Sequence, residues 1–278
     1  MFVHPFDVLK VRLQINEGAN VGVVGTFKNL VKNEGARGLY SGLSAAAARQ
    51  FSYTTGRLGL YDTFTSRVLA GKKGTEQTQL ALFEKLGCGL AAGAIAATAC
   101  CPIEVSLVRM QADGVAEASK RRGYKNVFDA VYKIGSQEGV KALWRGVVPT
   151  VTRGAVVSMT QLATYDQAKE MYLNSGIVKE EGKPLHLISS VTSGFIYCVV
   201  SLPLDITKTR MQNQLPLPDG SLKYNNLVDA LVKIPRQEGM FALWKGFPPY
   251  FLRGGGHTVF MFLFVEEYRR LVKDYYRE

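Results

Sequence analysis

The sequence holds little of what metal sites and disulfide frameworks require. Only four of its 278 residues are cysteine and only three are histidine. The cysteines fall inside apolar stretches and lack the paired spacing of zinc sites or secreted disulfide frameworks. They are Cys88, Cys100, Cys101 and Cys198. The histidines, at positions 4, 186 and 257, are too scattered to share an ion. We therefore expect no metal site.

Motifs for catalysis are also missing. The sequence has no phosphate-binding glycine loop, no nucleophile beside a base and no cofactor fingerprint. We therefore expect a protein that is not an enzyme and that needs no cofactor.

Acidic residues are outnumbered, with 34 Lys and Arg against 23 Asp and Glu, for a formal net charge of +11. Nucleic-acid binding would call for a basic face with aromatic platforms or a known motif, and neither is present. The charge fits better with anionic lipid headgroups at the surface and a cationic cavity for an anionic solute. We expect no nucleic-acid partner.

Long apolar runs are scarce too. Only residues 86–103 and 184–204 form charge-free windows long enough to cross about 30 Å of hydrocarbon as a helix. Hydropathy alone therefore does not identify the fold class, and the internal repeats are more informative.

A proline motif occurs three times, at intervals of roughly one hundred residues. Each copy has an acid two residues after the proline, a cation seven after it and a glutamine nine after it. The copies are Pro5, Asp7, Lys10, Arg12 and Gln14; Pro102, Glu104, Arg109 and Gln111; and Pro203, Asp205, Lys208, Arg210 and Gln212.

A second marker, Glu-Gly followed by a later glycine, has the same period. It gives Glu34, Gly35 and Gly42; Glu138, Gly139 and Gly146; and Glu238, Gly239 and Gly246. The sequence thus predicts three units, 1–72, 73–176 and 177–278.

Each unit has a second apolar segment, near 43–66, 147–172 and 247–271, with arginine in mid-span. Four such arginines facing lipid would cost on the order of 10 kcal/mol, so they must face water inside a bundle. Three of them, Arg49, Arg153 and Arg253, stand at the same distance before the end of their segment. One turn later come Tyr53, Val157 and His257, and two turns later Arg57, Gln161 and Met261. Because guanidinium binds carboxylate in a bidentate manner, we expect an anion with at least two charges.

The tripled motif resembles the mitochondrial carrier family over the whole chain. The resemblance implies an all-helical membrane protein with six tilted transmembrane helices around a pseudo-threefold axis and three short helices on the matrix side. It also implies a monomer in the mitochondrial inner membrane that works by alternating access.

The resemblance further implies substrate contacts at Arg49, Tyr53, Arg57, Arg153, Gln161, Arg253 and His257. The run from Arg49 to Gly59 is similar to family members that exchange 2-oxoglutarate for malate. A nucleotide carrier would have glycine and an aliphatic residue near position 153. A dicarboxylate/phosphate exchanger, an uncoupling-type carrier and, from another class, a soluble basic binding module stay open as alternatives.

By the same resemblance, salt bridges close each side of the carrier. On the matrix side Glu104 is expected to pair with Lys208 and Asp205 with Lys10, while Asp7 faces Leu107 and lacks its bridge. Gln14, Gln111 and Gln212 are expected to brace this gate. On the cytoplasmic side Asp62 is expected to pair with Lys169 and Asp166 with Arg269, while Glu266 meets Thr65.

Two further expectations come from the resemblance and the repeats. Cardiolipin is expected at the helix starts and ends marked by Gly42, Gly146 and Gly246 and by Gly35, Gly139 and Gly239. Residues 1–4 stand where the other units have about eighteen apolar residues. We therefore expect the first helix to be cut short and the native protein to carry an N-terminal extension.

Overall fold

The computed structural model describes residues 3–16, 22–72, 80–115, 121–176, 183–217 and 221–254. Regular structure in these ranges is helical, which confirms the all-helical prediction for them. The α-helices are α1 (His4–Ile15), α2 (Val23–Glu34), α3 (Leu43–Gly71), α4 (Leu82–Ala112), α5 (Val127–Glu138), α6 (Val147–Asn174), α7 (Lys183–Asn213) and α8 (Leu227–Glu238). Residues 247–254 are also helical.

The same succession of elements occurs in each unit. A helix with the proline motif leads to a twelve-residue helix, a single 3-10 turn and a second helix. The short helices α2, α5 and α8 end at glycines with positive φ of 70°, 84° and 87°. The second helices begin at Gly42, Gly146 and Gly246, whose φ of 76°, 90° and 87° is left-handed and favours glycine.

Asparagine side chains begin two of the short helices. Asn126 Oδ1 accepts from the backbone N–H of Asp129 at 2.9 Å, and Asn226 Oδ1 accepts from that of Asp229 at 2.8 Å. These caps satisfy amides that have no partner within the helix. Asp129 and Asp229 also place negative charge in the first turn, where the helix dipole favours it.

The prolines inside α4 and α7 each leave one backbone carbonyl without its helical partner. For Pro102 this carbonyl belongs to Thr98, and Trp144 Nε1 donates to it at 3.1 Å. For Pro203 it belongs to Val199, and Trp244 Nε1 donates to it at 3.0 Å. The indole groups therefore provide a hydrogen bond for the carbonyls that the prolines leave free, and they attach the 3-10 turns to α4 and α7.

Neighbouring units meet along their long helices, because α3 packs against α4 and α6 packs against α7. Two helices in the described ranges are long and apolar enough to cross a membrane by length and composition, Phe83–Val115 and Ile188–Asn213. They contain most of the two charge-free windows. Large apolar side chains such as Phe83 and Phe128 point outward, with 84% and 82% of their surface exposed.

The kink contacts generate a first prediction. Trp144→Phe keeps an aromatic ring but removes the indole N–H. The Thr98 carbonyl then loses its partner, and the free energy of unfolding should fall by about 1–2 kcal/mol. Thermal unfolding in detergent measures the loss. In a Pro102→Ala background the helix can bond this carbonyl itself, so the same Trp144→Phe change should cost much less. An equal loss in both backgrounds would contradict the explanation.

Candidate functional site

Buried polar side chains concentrate where the three proline-motif helices meet. On α1, α4 and α7 eight cations and glutamines of the motif are each less than 9% exposed. They are Lys10, Arg12, Gln14, Arg109, Gln111, Lys208, Arg210 and Gln212. Burying such charges is costly unless each one finds an opposite charge and hydrogen bonds.

Two of the expected matrix-side pairs are in contact. Lys10 Nζ lies 2.5 Å from Asp205 Oδ2, and Lys208 Nζ lies 2.6 Å from Glu104 Oε1. All four side chains are at most 12% exposed. These pairs join α1 to α7 and α4 to α7.

The three glutamines meet these pairs differently. Gln14 Nε2 donates directly to Asp205 Oδ2 at 2.8 Å. Gln212 Nε2 reaches Thr150 Oγ1 at 3.4 Å, and this hydroxyl donates to Glu104 Oε2 at 3.2 Å. Gln111 is buried beside Gly42. Gln14 thus contacts its ion pair directly, and Gln212 contacts its own through a threonine.

The expectation that Asp7 lacks a bridge is wrong. Asp7 Oδ1 lies 3.0 Å from Arg253 Nη1, one of the arginines expected to bind substrate. Leu107 instead packs in an apolar cluster with Ala45, Met110 and other residues. The family motif places its cation only at position 107, whereas the long guanidinium side chain of Arg253 reaches the Asp7 carboxylate from another helix.

The other two arginines also face the gate carboxylates. Arg153 Nε lies 3.7 Å from Asp205 Oδ1 and has no hydrogen-bond partner, although it is buried. Arg49 is half-buried at the position of α3 that is equivalent to Arg153 in α6. We refer to Arg49, Arg153, Arg253, Lys10, Lys208, Asp7, Glu104 and Asp205 as the gate layer.

Three of the remaining expected substrate residues lie in the described ranges. Tyr53 is half-buried, and Arg57 and Gln161 are exposed. His257 lies outside the described residues, as do Glu266 and Arg269 of the expected cytoplasmic gate.

Sequence reasoning missed Tyr250, which is 3% exposed and central to the gate layer. Its hydroxyl accepts from Arg153 Nη1 at 3.4 Å and shares a hydrogen bond of 3.0 Å with Ser201 Oγ. Lys10 Nζ lies 4.5 Å from the centre of its ring. Its position along the helix could have identified Tyr250, because it precedes Arg253 by about one helical turn and so shares its face.

Sequence reasoning also missed three pairings between arginines and glutamates within the units. Arg12 Nη1 and Nη2 donate to Glu34 Oε1 and Oε2 at 2.5 and 2.8 Å. Arg109 binds Glu138 and Arg210 binds Glu238 in the same bidentate way. Both residue types belong to the repeated markers, but their spacing along the chain gave no reason to pair them. The pairs fix each short helix to the proline-motif helix of its own unit.

The same three arginines also join neighbouring units. Arg12 Nε donates to the Gln111 carbonyl at 3.2 Å, and Arg109 Nε donates to the Gln212 carbonyl at 3.0 Å. Arg210 Nε donates to the Gln14 carbonyl at 2.9 Å, which closes the circle. We refer to Arg12, Arg109 and Arg210 with their partners as the arginine ring.

The hydrogen bond from Arg210 holds the pKa of the Glu238 carboxyl below its ordinary value. The folded protein therefore binds this proton less tightly than the unfolded chain. Its contribution to stability is present above the ordinary pKa of a glutamate and is lost as the pH falls through the lower, folded value.

Three residues of the expected cytoplasmic gate, Asp62, Asp166 and Lys169, lie in the described ranges. Asp62 and Asp166 are exposed, and Lys169 is half-buried. The pairing of these residues stays a prediction.

The glycines expected to hold lipid lie at helix ends. Gly42 lines a surface cavity of about 370 Å³, together with Tyr40, Leu43, Glu34, Arg121 and Lys125. The two basic residues come from the connector between α4 and α5. Gly146 and Gly246 begin α6 and the helix at 247–254, next to Gln212 and Gln14 of neighbouring units.

Comparison with known proteins agrees with this organisation. A family model described as mitochondrial carrier protein matches residues 1–72, 78–176 and 180–276. Mitochondrial 2-oxoglutarate/malate carrier proteins of Mus musculus and Homo sapiens are each 44% identical over 278 residues, which covers 98% of this chain and 87% of theirs. Mitochondrial uncoupling protein 5 of Arabidopsis thaliana is 37% identical over 297 residues, covering 98% of this chain and 93% of its own.

The arginine ring generates a second prediction. Arg109 is fully buried, so Arg109→Gln leaves Glu138 without its main cation and the Gln212 carbonyl without its donor. Stability in detergent should fall by about 3–5 kcal/mol. Lys133→Gln is the matched control, because it removes a partly exposed pair with Asp129 and should cost about 1 kcal/mol or less. Similar losses in the two variants would rule out a special role for the ring.

Proposed function

The chain belongs to the mitochondrial carrier family, and we propose that it exchanges 2-oxoglutarate for malate or a related dicarboxylate. It is a multi-pass protein of the mitochondrial inner membrane and a transporter, as are the members of this family. The proposal for the substrate rests on one observation, the charge of the gate layer.

The gate layer contains five cations and three carboxylates. Lys10, Lys208, Arg49, Arg153 and Arg253 stand against Asp7, Glu104 and Asp205. Two positive charges are therefore left without an anion. A dianion of the dicarboxylate class would neutralise this excess, whereas a monoanion or a nucleotide with more negative charges would not.

We propose that the three units, 1–72, 73–176 and 177–278, surround a pseudo-threefold axis. The six tilted membrane helices would be α1, α3, α4, α6, α7 and the helix that begins at residue 247. The short helices α2, α5 and α8 would lie on the matrix side. The cyclic order of the arginine ring supports this arrangement, because each unit donates to the next and the third donates to the first.

The substrate carboxylates would bind Arg49, Arg153 and Arg253, and the residues above them would distinguish between dicarboxylates. Those residues are Tyr53, Arg57, Gln161 and His257. Two contacts support the assignment: Arg253 and Arg153 already lie 3.0 and 3.7 Å from the carboxylates of Asp7 and Asp205. Arginines that hold protein carboxylates can hold those of a substrate in the same geometry.

Transport would proceed by alternating access, with a matrix gate and a cytoplasmic gate that open in turn. The matrix gate would consist of Asp7, Lys10, Glu104, Asp205 and Lys208, braced by Gln14, Gln111 and Gln212. The cytoplasmic gate would consist of Asp62, Asp166, Lys169, Glu266 and Arg269. The ion pairs of Lys10 with Asp205 and of Lys208 with Glu104 support the proposed matrix gate.

We further propose that the carrier works as a monomer with cardiolipin bound at its helix ends. Free amides at the start of α3, α6 and the helix at 247 would bind the lipid phosphates. Gly35, Gly139 and Gly239 would hold the ends of the neighbouring short helices in place. The cavity at Gly42 lies at one of these helix starts, and its wall carries Arg121 and Lys125 as well as the carboxylates of Glu34 and Asp113.

Exchange measurements in proteoliposomes test the substrate proposal. Vesicles loaded with labelled malate should release it when 2-oxoglutarate is added outside, and should retain it in the absence of any external dicarboxylate. The similarity to an uncoupling protein makes an uncoupling-type carrier the second candidate. Proton leak without dicarboxylate exchange would favour that candidate, and rapid exchange for phosphate would favour a dicarboxylate/phosphate carrier.

A third prediction concerns Arg153. Arg153→Gln removes a charge-assisted contact worth roughly 1.5–3 kcal/mol, so exchange should fall at least about tenfold while the protein still folds and inserts. Lys32→Gln, on an exposed face of α2, is the matched charge control and should transport normally. Near-normal exchange by the Arg153 variant would show that this arginine does not bind the substrate.

A further inference from the structure

The ion pair between Asp7 and Arg253 differs from the two other pairs of the matrix gate. The others join a gate carboxylate to a gate lysine, and their side chains are 4–12% exposed. Asp7 instead binds an arginine of the proposed substrate site, and the two side chains are 29% and 35% exposed. A dissolved anion can therefore approach this pair more easily than the other two.

The local packing explains why Asp7 turns to Arg253. The position where a third gate lysine would stand holds Leu107, which is 8% exposed and packed with Ala45, Met110, Val127 and Ala130. Within the described chain, Arg253 is the cation placed within 4 Å of the Asp7 carboxylate. Asp7 therefore neutralises a charge that would otherwise be available to a ligand.

We propose that Asp7 is a specificity-determining residue that competes with the substrate for Arg253. The inference rests on the proposed dicarboxylate exchange. A substrate carboxylate that binds Arg253 displaces the Asp7 carboxylate and so breaks this ion pair between α1 and the helix at 247–254. Filling the site and loosening this part of the matrix gate are then one event.

The same competition limits the charge of the ligand. With Asp7 in place the gate layer carries two excess positive charges, which suits a dianion. Without the charge of Asp7 the excess becomes three, which suits a trianion such as a tricarboxylate. Asp7 thereby favours dicarboxylates over tricarboxylates.

The test is Asp7→Asn, which keeps the size of the side chain and removes its charge. Uptake of labelled malate is measured against malate concentration, and its inhibition is measured with a dicarboxylate and with citrate as the tricarboxylate probe. The half-saturating malate concentration should fall about threefold or more, as expected from freeing a cation from a partly exposed pair. Inhibition by citrate should strengthen more than inhibition by the dicarboxylate. An unchanged or higher half-saturating concentration, or an unchanged preference between the inhibitors, would overturn the inference.

Glu104→Gln is the matched control, because it adds the same net charge to the gate layer and releases Lys208 but leaves the pair of Asp7 with Arg253 intact. It should not lower the half-saturating malate concentration as Asp7→Asn does. Equal effects would show that total charge, and not competition for Arg253, controls binding. In an Arg253→Gln background Asp7→Asn should have no further effect on binding, and an undiminished effect there would also overturn the inference.

A second measurement, of ligand binding alone, applies if the Asp7→Asn variant binds dicarboxylate but does not transport it. Dicarboxylates should raise the unfolding temperature of the detergent-solubilised Asp7→Asn protein more than that of the unmodified protein, and a smaller or equal rise would contradict the proposal. If the unmodified chain failed to exchange dicarboxylates, the proposed function would be wrong. If it exchanged them and Asp7→Asn changed nothing, only the present inference would be wrong.

Discussion

The arginine ring is the interaction on which the other parts of this structure depend. Arg12, Arg109 and Arg210 are all at most 4% exposed, and a buried guanidinium is stable only when its donors are satisfied. Each one binds a glutamate of its own unit and a carbonyl of the next unit. The ring therefore fixes the short helices to the long ones and, through the same side chains, fixes the three units to one another.

The ring also explains how the gate layer can concentrate so much charge. Lys10, Asp205 and Lys208 lie on the same helices as Arg12 and Arg210, within about one and a half turns of them along the chain. Their relative positions are set before any substrate arrives, so the gate pairs cost little further ordering when they form. Pro102 in α4 and Pro203 in α7 each leave one backbone carbonyl without its helical partner, and the indoles of Trp144 and Trp244 donate to these carbonyls. A rigid base thus supports a layer of ion pairs in which the Asp7–Arg253 pair is open to an incoming anion.

Periodicity predicted more of this protein than hydropathy did. The repeats indicated the order of long and short helices. The resemblance to the family then paired Lys10 with Asp205 and Glu104 with Lys208, which occupy equivalent positions in different units. Asp7 and Arg253 were not paired, since their contact depends on the reach of a long side chain from a helix that the motif does not include. The role of Tyr250 was missed for a similar reason, as its equivalents are Ala46 and Thr150 and no repeated residue type marks the position. The bonds from Arg12, Arg109 and Arg210 to backbone carbonyls leave no trace in the sequence, because every residue has a carbonyl.

The central claim is that the three units move apart together at the matrix side when the gate layer binds a dicarboxylate. Asn33, Gln137 and Gln237 are exposed and occupy equivalent places near the ends of α2, α5 and α8. Spin labels can be attached there in pairs after the four native cysteines are replaced, and pulsed electron paramagnetic resonance then gives the three distances in proteoliposomes. The account predicts that saturating dicarboxylate adds a population of longer distances to all three pairs. Distances that stay unchanged, or that lengthen in one pair only, would contradict it.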